Sequence, residues 1–153
     1  MSSNRSNVEK ERIAQVAPPV DINSAGITGD WVGLGKYEHA GMVILIGNIE
    51  GTTAVTLQQA KDNAGGSAKA LPFDFVWKDN VKTAVVSDTF DITGSDDNTV
   101  WQIPIDASEL DVANDFSHIQ LNLSDPSAAA IVAASYVMGS GRYQGADMPD
   151  PTD

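Results

Sequence analysis

Two histidines, one acidic run and one glycine pair are the places where this sequence could do chemistry. His39 and His118 are the only imidazoles. They fall in different strand-like stretches, and no HExxH or other paired spacing makes them a metal site. A Ser-His-Asp triad draws its members from distant positions, so spacing alone leaves one open. No GxSxG elbow supports it. The segment "DITGSDDNT", Asp91 to Thr99, gathers the oxygen ligands that calcium takes six to eight of. Counted as an EF-hand, it has Gln102 where the twelfth-position glutamate belongs, and no helical pattern flanks it. It reads as a turn with solvated carboxylates, and whether Asp91 to Asp97 takes a cation stays open. Glu109, Asp111 and Asp115 form a similar weak cluster. The chain is therefore expected not to be an enzyme and to need no metal or cofactor.

The glycine pair lies in "GTTAVTLQQAKDNAGGSAKAL", Gly51 to Leu71. A phosphate-binding loop would need glycines leading into a helix N-terminus. Here Gly65 and Gly66 lead into "LPFDFVW", which alternates like a strand. The better reading is a hairpin, with both glycines supplying positive φ in the turn. Gln58 and Gln59 are adjacent in its first strand and must project to opposite faces. They fit an edge strand with both amides solvated, or a hydrogen-bonded contact between subunits.

The elements that must carry these residues have a period of two. "MVILIG" reads as a central strand covered on both sides. "AVTLQQA" puts Val55, Leu57 and Gln59 on one face and Thr56, Gln58 and Ala60 on the other. In "ALPFDFVWK", Leu71, Phe73, Phe75 and Trp77 share a face expected to line the core. "TAVVS", "NTVWQIPI" and "AAIVAASYVMG" read as further strands. "FSHIQLNLS" turns Ile119, Leu121 and Leu123 inward, and His118 toward solvent or a partner. Trp31 and Trp101 fit either a core position or an exposed stacking platform. Turn chemistry separates the strands: "KDNAGGS", "WKDN", "TGSDDN", "SDP". "DASELDVAND" is a single helical turn or a loop. This pattern predicts an all-β chain, a β-sandwich of jelly-roll-like topology.

The 153 residues suit one domain, and there are no cysteines. Residues 1–20 are polar, contain Arg5, Lys10 and Arg12 of the nine basic residues, and end in Pro18 and Pro19, which oppose helix. "SNVEKERIAQVA" could form two helical turns, marginal unless docked. This region is expected to be an extended N-terminal arm. Residues 21–144 carry the sandwich, and 145–153 read as a flexible acidic tail. The N-terminus lacks the apolar region of a signal peptide, and no apolar run is long enough to span a membrane. The net charge of −12 opposes nucleic-acid binding, which needs a positive field.

The stretch Asp30 to Lys78 resembles a family of small virion structural proteins of tailed bacteriophages. The resemblance rests on Asp30, Trp31 and Val32, on Lys36 and Tyr37, on "GTTAVTLQQAKD" and "AKAL" before an aromatic strand. Later "IDASELDV", "FSHIQLNLSDP" and "GRYQG" extend it over roughly residues 25–144. It implies a protein of the phage particle, of the capsid decoration or cement type. The expected partners are the major capsid protein and further copies of the chain, a closed trimer being the default ring. The expected location is the outer surface of the head, with synthesis in the host cytoplasm and no nucleic-acid or membrane partner. Candidate interface residues are Arg5, Lys10, Arg12, Gln58, Gln59 and His118. The alternatives are a glycan-binding sandwich for host attachment and a tail or neck component.

Overall fold

A computed structural model describes residues 11–139. Among them are twelve strands: β1 Glu11–Asp21, β2 Ile27–Thr28, β3 Val32–Gly33, β4 His39–Ile49, β5 Thr53–Ala60, β6 Lys69–Ala70, β7 Phe75–Lys78, β8 Val81–Ala84, β9 Thr89–Ile92, β10 Val100–Asp106, β11 His118–Leu123 and β12 Ala130–Gly139. They form two antiparallel sheets. The first runs β1-β12-β4-β10-β7-β8. The second runs β2-β11-β5-β6, with β3 also on β11 and β9 also on β5. The expected all-β sandwich is what the chain forms. From β4 onward it crosses repeatedly between the sheets, so each sheet is built from strands distant in sequence.

The core lies between the sheets, where the alternating residues of both inner faces meet. The first sheet contributes Met42, Ile44, Ile103, Ile105, Val132 and Met138; the second contributes Val55, Leu57, Ile119, Leu121 and Leu123. Tyr136 is fully buried among them and spans the core. Its hydroxyl donates to the Asp30 carbonyl (2.9 Å) and accepts from the Leu121 N–H (2.9 Å). β2 and β3 pair with β11 only at Ile27–Thr28 and Val32–Gly33. The phenol thus fills a gap in the ladder where the chain bulges through Gly29, Asp30 and Trp31.

Several expectations fail for identifiable reasons. Residues 11–21 are neither helix nor free arm: β1 pairs with β12 from Glu11↔Gly139 to Asp21↔Ile131. Pro18 and Pro19 fall in a register shift of this edge strand, between Ala17↔Ala134 and Val20↔Val132. A missing N–H costs little on an edge and discourages pairing with another chain. The arm's first ten residues and the tail lie outside the described residues.

The aromatic face of residues 71–77 also breaks. Leu71, Phe73 and Val76 are buried, whereas Trp77 is 36% exposed. The chain leaves the second sheet after β6 and enters the first at β7, with a bend at Asp74. The bend reverses which alternate residues face inward. Phe75 then lies on the outer side, under Lys82 at 3.8 Å from its ring centroid. β4 is central but covered on one side only, since Leu45 faces out. The "TAVVS" strand stops early, with β8 ending at Ala84. "DASELDVAND" forms two short 3-10 turns, Ala107–Glu109 and Val112–Asn114.

Candidate functional site: two chemically opposite outer faces

Outward residues of the first sheet form cross-strand rows. One reads Ile13–Val137–Gly41–Pro104 and the next Gln15–Ser135–Val43–Gln102–Trp77. A third joins Ala133, Leu45 and Val100. From β1 to β7 these rows carry no charge; on β8, Lys82 stands opposite Trp77. Ile13 is 72% exposed and Leu45 49%, and Ile131 and Trp77 also stand open. Glycine at 41 opens onto a hollow of about 260 Å³ at the end of the sheet, bordered by Glu11, His39 and Val137, while the His39 ring fills the space beside Gly139. An apolar face with a hollow in it is suited to receiving another protein's side chains.

The outer face of the second sheet is polar but uncharged across its middle. One row is Thr28–Asn122–Thr56–Thr89, and the next is Gln120–Gln58–Ala70. Above Gln120 the bulge and the β5–β6 turn enclose an open cleft of about 450 Å³, lined by Thr28, Gly29, Asp30, Trp31, Asn63 and Gln120. Gln120 is only 7% exposed, and its Nε2 donates to the Gly29 carbonyl at 2.7 Å. Asn122 donates to Gln120 Oε1 (3.1 Å), while its own Oδ1 is buried without a hydrogen-bond partner.

The turn is the expected hairpin. Asp62 Oδ1 accepts the N–H groups of Ala64 and Gly66, both at 2.9 Å. Positive φ falls on Gly65 (78°) and Ser67 (57°) rather than on Gly66. Gly65 has a second reason to lack a side chain: a Cβ there would stand 2.7 Å from Trp31 Nε1. The loop therefore rests against the indole.

The sequence's candidate residues do not converge. Arg5 and Lys10 lie outside the described residues. Arg12 is half-buried in β1 opposite Met138. Gln58 and Gln59 do project to opposite faces, but β5 is not an edge strand. Gln59 is 4% exposed and turned inward; its Oε1 accepts from Asp111 N at 2.8 Å and its Nε2 reaches the Ala70 carbonyl at 3.4 Å. Its amide ties β5 to the second 3-10 turn, so it is unavailable to a subunit contact. Gln58 faces the polar side and holds no such bond.

His118 also lies on that side. Its Nδ1 shares a 2.9 Å hydrogen bond with Ser117 Oγ. Burial depresses its pKa, and the Asp62 carboxylate partly opposes that. Serine, histidine and aspartate do meet here, yet among the described residues no hydrogen bond joins Asp62 to the imidazole. Asp62 instead caps the turn, so no proton relay runs through the three.

The acidic run holds the β9–β10 turn together. Asp96 Oδ2 accepts from Thr93 N at 2.7 Å, and Asp97 Oδ1 accepts from Ile49 N at 2.7 Å. The other oxygen of Asp96 pairs with Lys78. Burial alone would raise the Asp96 pKa; the bonds from Lys78 and Thr93 outweigh it and hold the carboxyl below its usual range. Among the described residues no cluster of three His, Asp or Glu could hold a metal ion. Trp101 is a core residue, stacked on Phe90 at 5.0 Å with its Nε1 donating to Thr99 Oγ1. Trp31 was the indole to single out, but the groups around it come from distant segments.

No family model matches the chain, and no curated protein matches it in sequence. Solved structures align with it. The SPBc2 prophage-derived protein YomS aligns at TM-score 0.50 and 10% identity, covering 87% of this chain and 96% of that one. The CBM22-1–GH10 modules of Clostridium thermocellum endo-1,4-beta-D-xylanase 10B, complexed with xylohexaose, align at TM-score 0.40 and 10% identity, covering 90% of this chain and 27% of that one. A Bacillus endospore appendage protein aligns at TM-score 0.36 and 10% identity, over 92% and 98%. A prophage-derived protein thus has the same two-sheet architecture over nearly its whole length.

Proposed function

We propose that this chain is a structural protein of a phage particle, carried on the outside of the head, where it bridges neighbouring copies of the major capsid protein. The observation that carries the reading is the apolar face of the first sheet, uncharged from β1 to β7, with Ile13, Leu45, Ile131 and Trp77 open on it. A face of this kind on a chain of net charge −12 suits a protein partner and repels phosphate. The strand pattern shared with phage virion proteins and the fold shared with a prophage-derived protein support the same reading. An interface of standard size, about 1,600 Å², supplies useful affinity, and many copies on one shell add avidity. A trimer matches the local three-fold axes of such a shell.

The test uses expanded heads stripped of the protein. Adding it back should restore resistance to heat and osmotic shock, and Leu45→Glu should bind at least about tenfold more weakly. Because Leu45 is exposed, that variant should melt like the parent. If stripped and decorated heads rupture alike, the cementing role is wrong. Labelled protein located at the neck or tail would move the reading to that part of the particle.

A further inference from the structure

We propose that the cleft between the Gly29–Trp31 bulge and the β5–β6 turn binds a neutral saccharide chain, laid across the outer face of the second sheet. Hydroxyl-rich, uncharged ligands are recognised by amides, hydroxyls and a carboxylate edge, with an aromatic ring for the apolar face of the sugar. Those groups are what this face offers. Among the described residues the side chains of Thr28, Thr56, Gln58 and Asn63 hold no hydrogen bond. Their donors and acceptors are free to meet ligand hydroxyls. Asn122 already donates to Gln120, and Gln120 to Gly29, so the floor of the cleft is fixed before a ligand arrives. Trp31 forms the wall, held against Gly65.

Charge selects the class of saccharide. The two middle rows of the face carry no charged residue, although the chain has 21 Asp and Glu. Carboxylates stand at its margins: Asp30 and Asp62 at the lip, and Asp91 beyond Thr89, opposite Ala54. They accept hydrogen bonds from sugar hydroxyls and repel uronate or sulfate groups. The face spans four strands from β2 to β9, about 14 Å at the usual interstrand spacing. That length fits a short oligosaccharide better than a single sugar.

The test titrates the full chain with maltohexaose, cellohexaose and an N-acetylglucosamine hexamer, with a polygalacturonate oligomer as the acidic control. Tryptophan fluorescence and amide chemical shifts are the readouts. At least one neutral probe should shift the amides of Trp31, Gln58 and Asn122, and the acidic probe should not. Trp31→Ala and Gln58→Ala should each weaken binding by about tenfold, and Trp31→Phe, which preserves a packed ring, should bind at an intermediate level. Trp77→Ala, on the opposite sheet, should bind like the parent. No amide shift with any neutral probe at about 10 mM, a ligand weaker than most useful sites, overturns the proposal. So does unchanged binding in Gln58→Ala and Trp31→Phe, or equal binding of the acidic oligomer.

Discussion

Replacing Tyr136 with phenylalanine removes one oxygen and leaves the ring. The two groups it serves have different fates. The Asp30 carbonyl lies on an exposed residue and can turn to water. The Leu121 N–H is in a fully buried residue, at a point where neither β2 nor β3 can accept it. An unsatisfied buried donor costs about 1–3 kcal/mol, so Tyr136→Phe should lose about 2 kcal/mol. In a chain of this size that lowers Tm by roughly 4–8 °C, and the Leu121 amide should exchange faster. Burial also raises the Tyr136 pKa far above the phenol value of 10.0, against the opposing Leu121 hydrogen bond. Above pH 10 the unfolded chain releases this proton while the folded chain keeps it. The folded state then binds more protons, so stability must fall as pH rises. The parent should lose stability from about pH 10 upward, and the difference between parent and Tyr136→Phe should shrink there. A loss below about 0.5 kcal/mol at neutral pH, with unchanged Leu121 exchange, would refute the account of the phenol as a ladder substitute.

Two further outcomes are expected from urea unfolding. Gln59→Leu should cost about 1–3 kcal/mol by stranding the Asp111 N–H, whereas Gln58→Leu, on the open face, should stay within about 0.5 kcal/mol. Val76→Ala should cost more than Phe75→Ala, about 2 kcal/mol against about 1, although phenylalanine is the larger side chain, because only Val76 points into the core; the opposite order would return the aromatic face to the interior.

Period-two patterning made the inner faces of β10, β11 and β12 readable, because each runs straight within one sheet. The Asp79–Asn80 turn was readable as well: both residues have positive φ (46° and 66°), which a two-residue hairpin requires and aspartate and asparagine tolerate. Alternation misled at residues 71–77 because it carries no record of a change of sheet. Pro18 and Pro19 did signal extended backbone, which β1 has, but not its pairing with β12, because proline's cost depends on whether a strand is central or at an edge. For Gln58 and Gln59, opposite projection followed from geometry, but the inward partner, Asp111, lies 52 residues away. The polar cleft was half visible. The outward sets Thr56–Gln58 and Gln120–Asn122 each stand in one strand. Their union across the β5–β11 register, with Trp31 and Asn63 above them, exists only in three dimensions.

The distribution of charge connects the two outer faces. Asp62, Asp74, Asp79, Asp88, Asp97, Asp111, Asp115 and Asp125 all lie in turns and connections, while the middle rows of both sheets are uncharged. Repulsion between copies therefore acts at the rim and is screened beyond about 8 Å at physiological salt. A partner confined to the middle rows of either face would bring no carboxylate into a dry interface, where each unpaired charge would cost several kcal/mol. The faces also point in opposite directions, separated by two sheets packed about 10 Å apart. A molecule seated by its first sheet on a shell would hold the cleft of its second sheet toward the medium. Anchoring and saccharide binding would then not compete, and each can be abolished separately, the first at Leu45 and the second at Gln58.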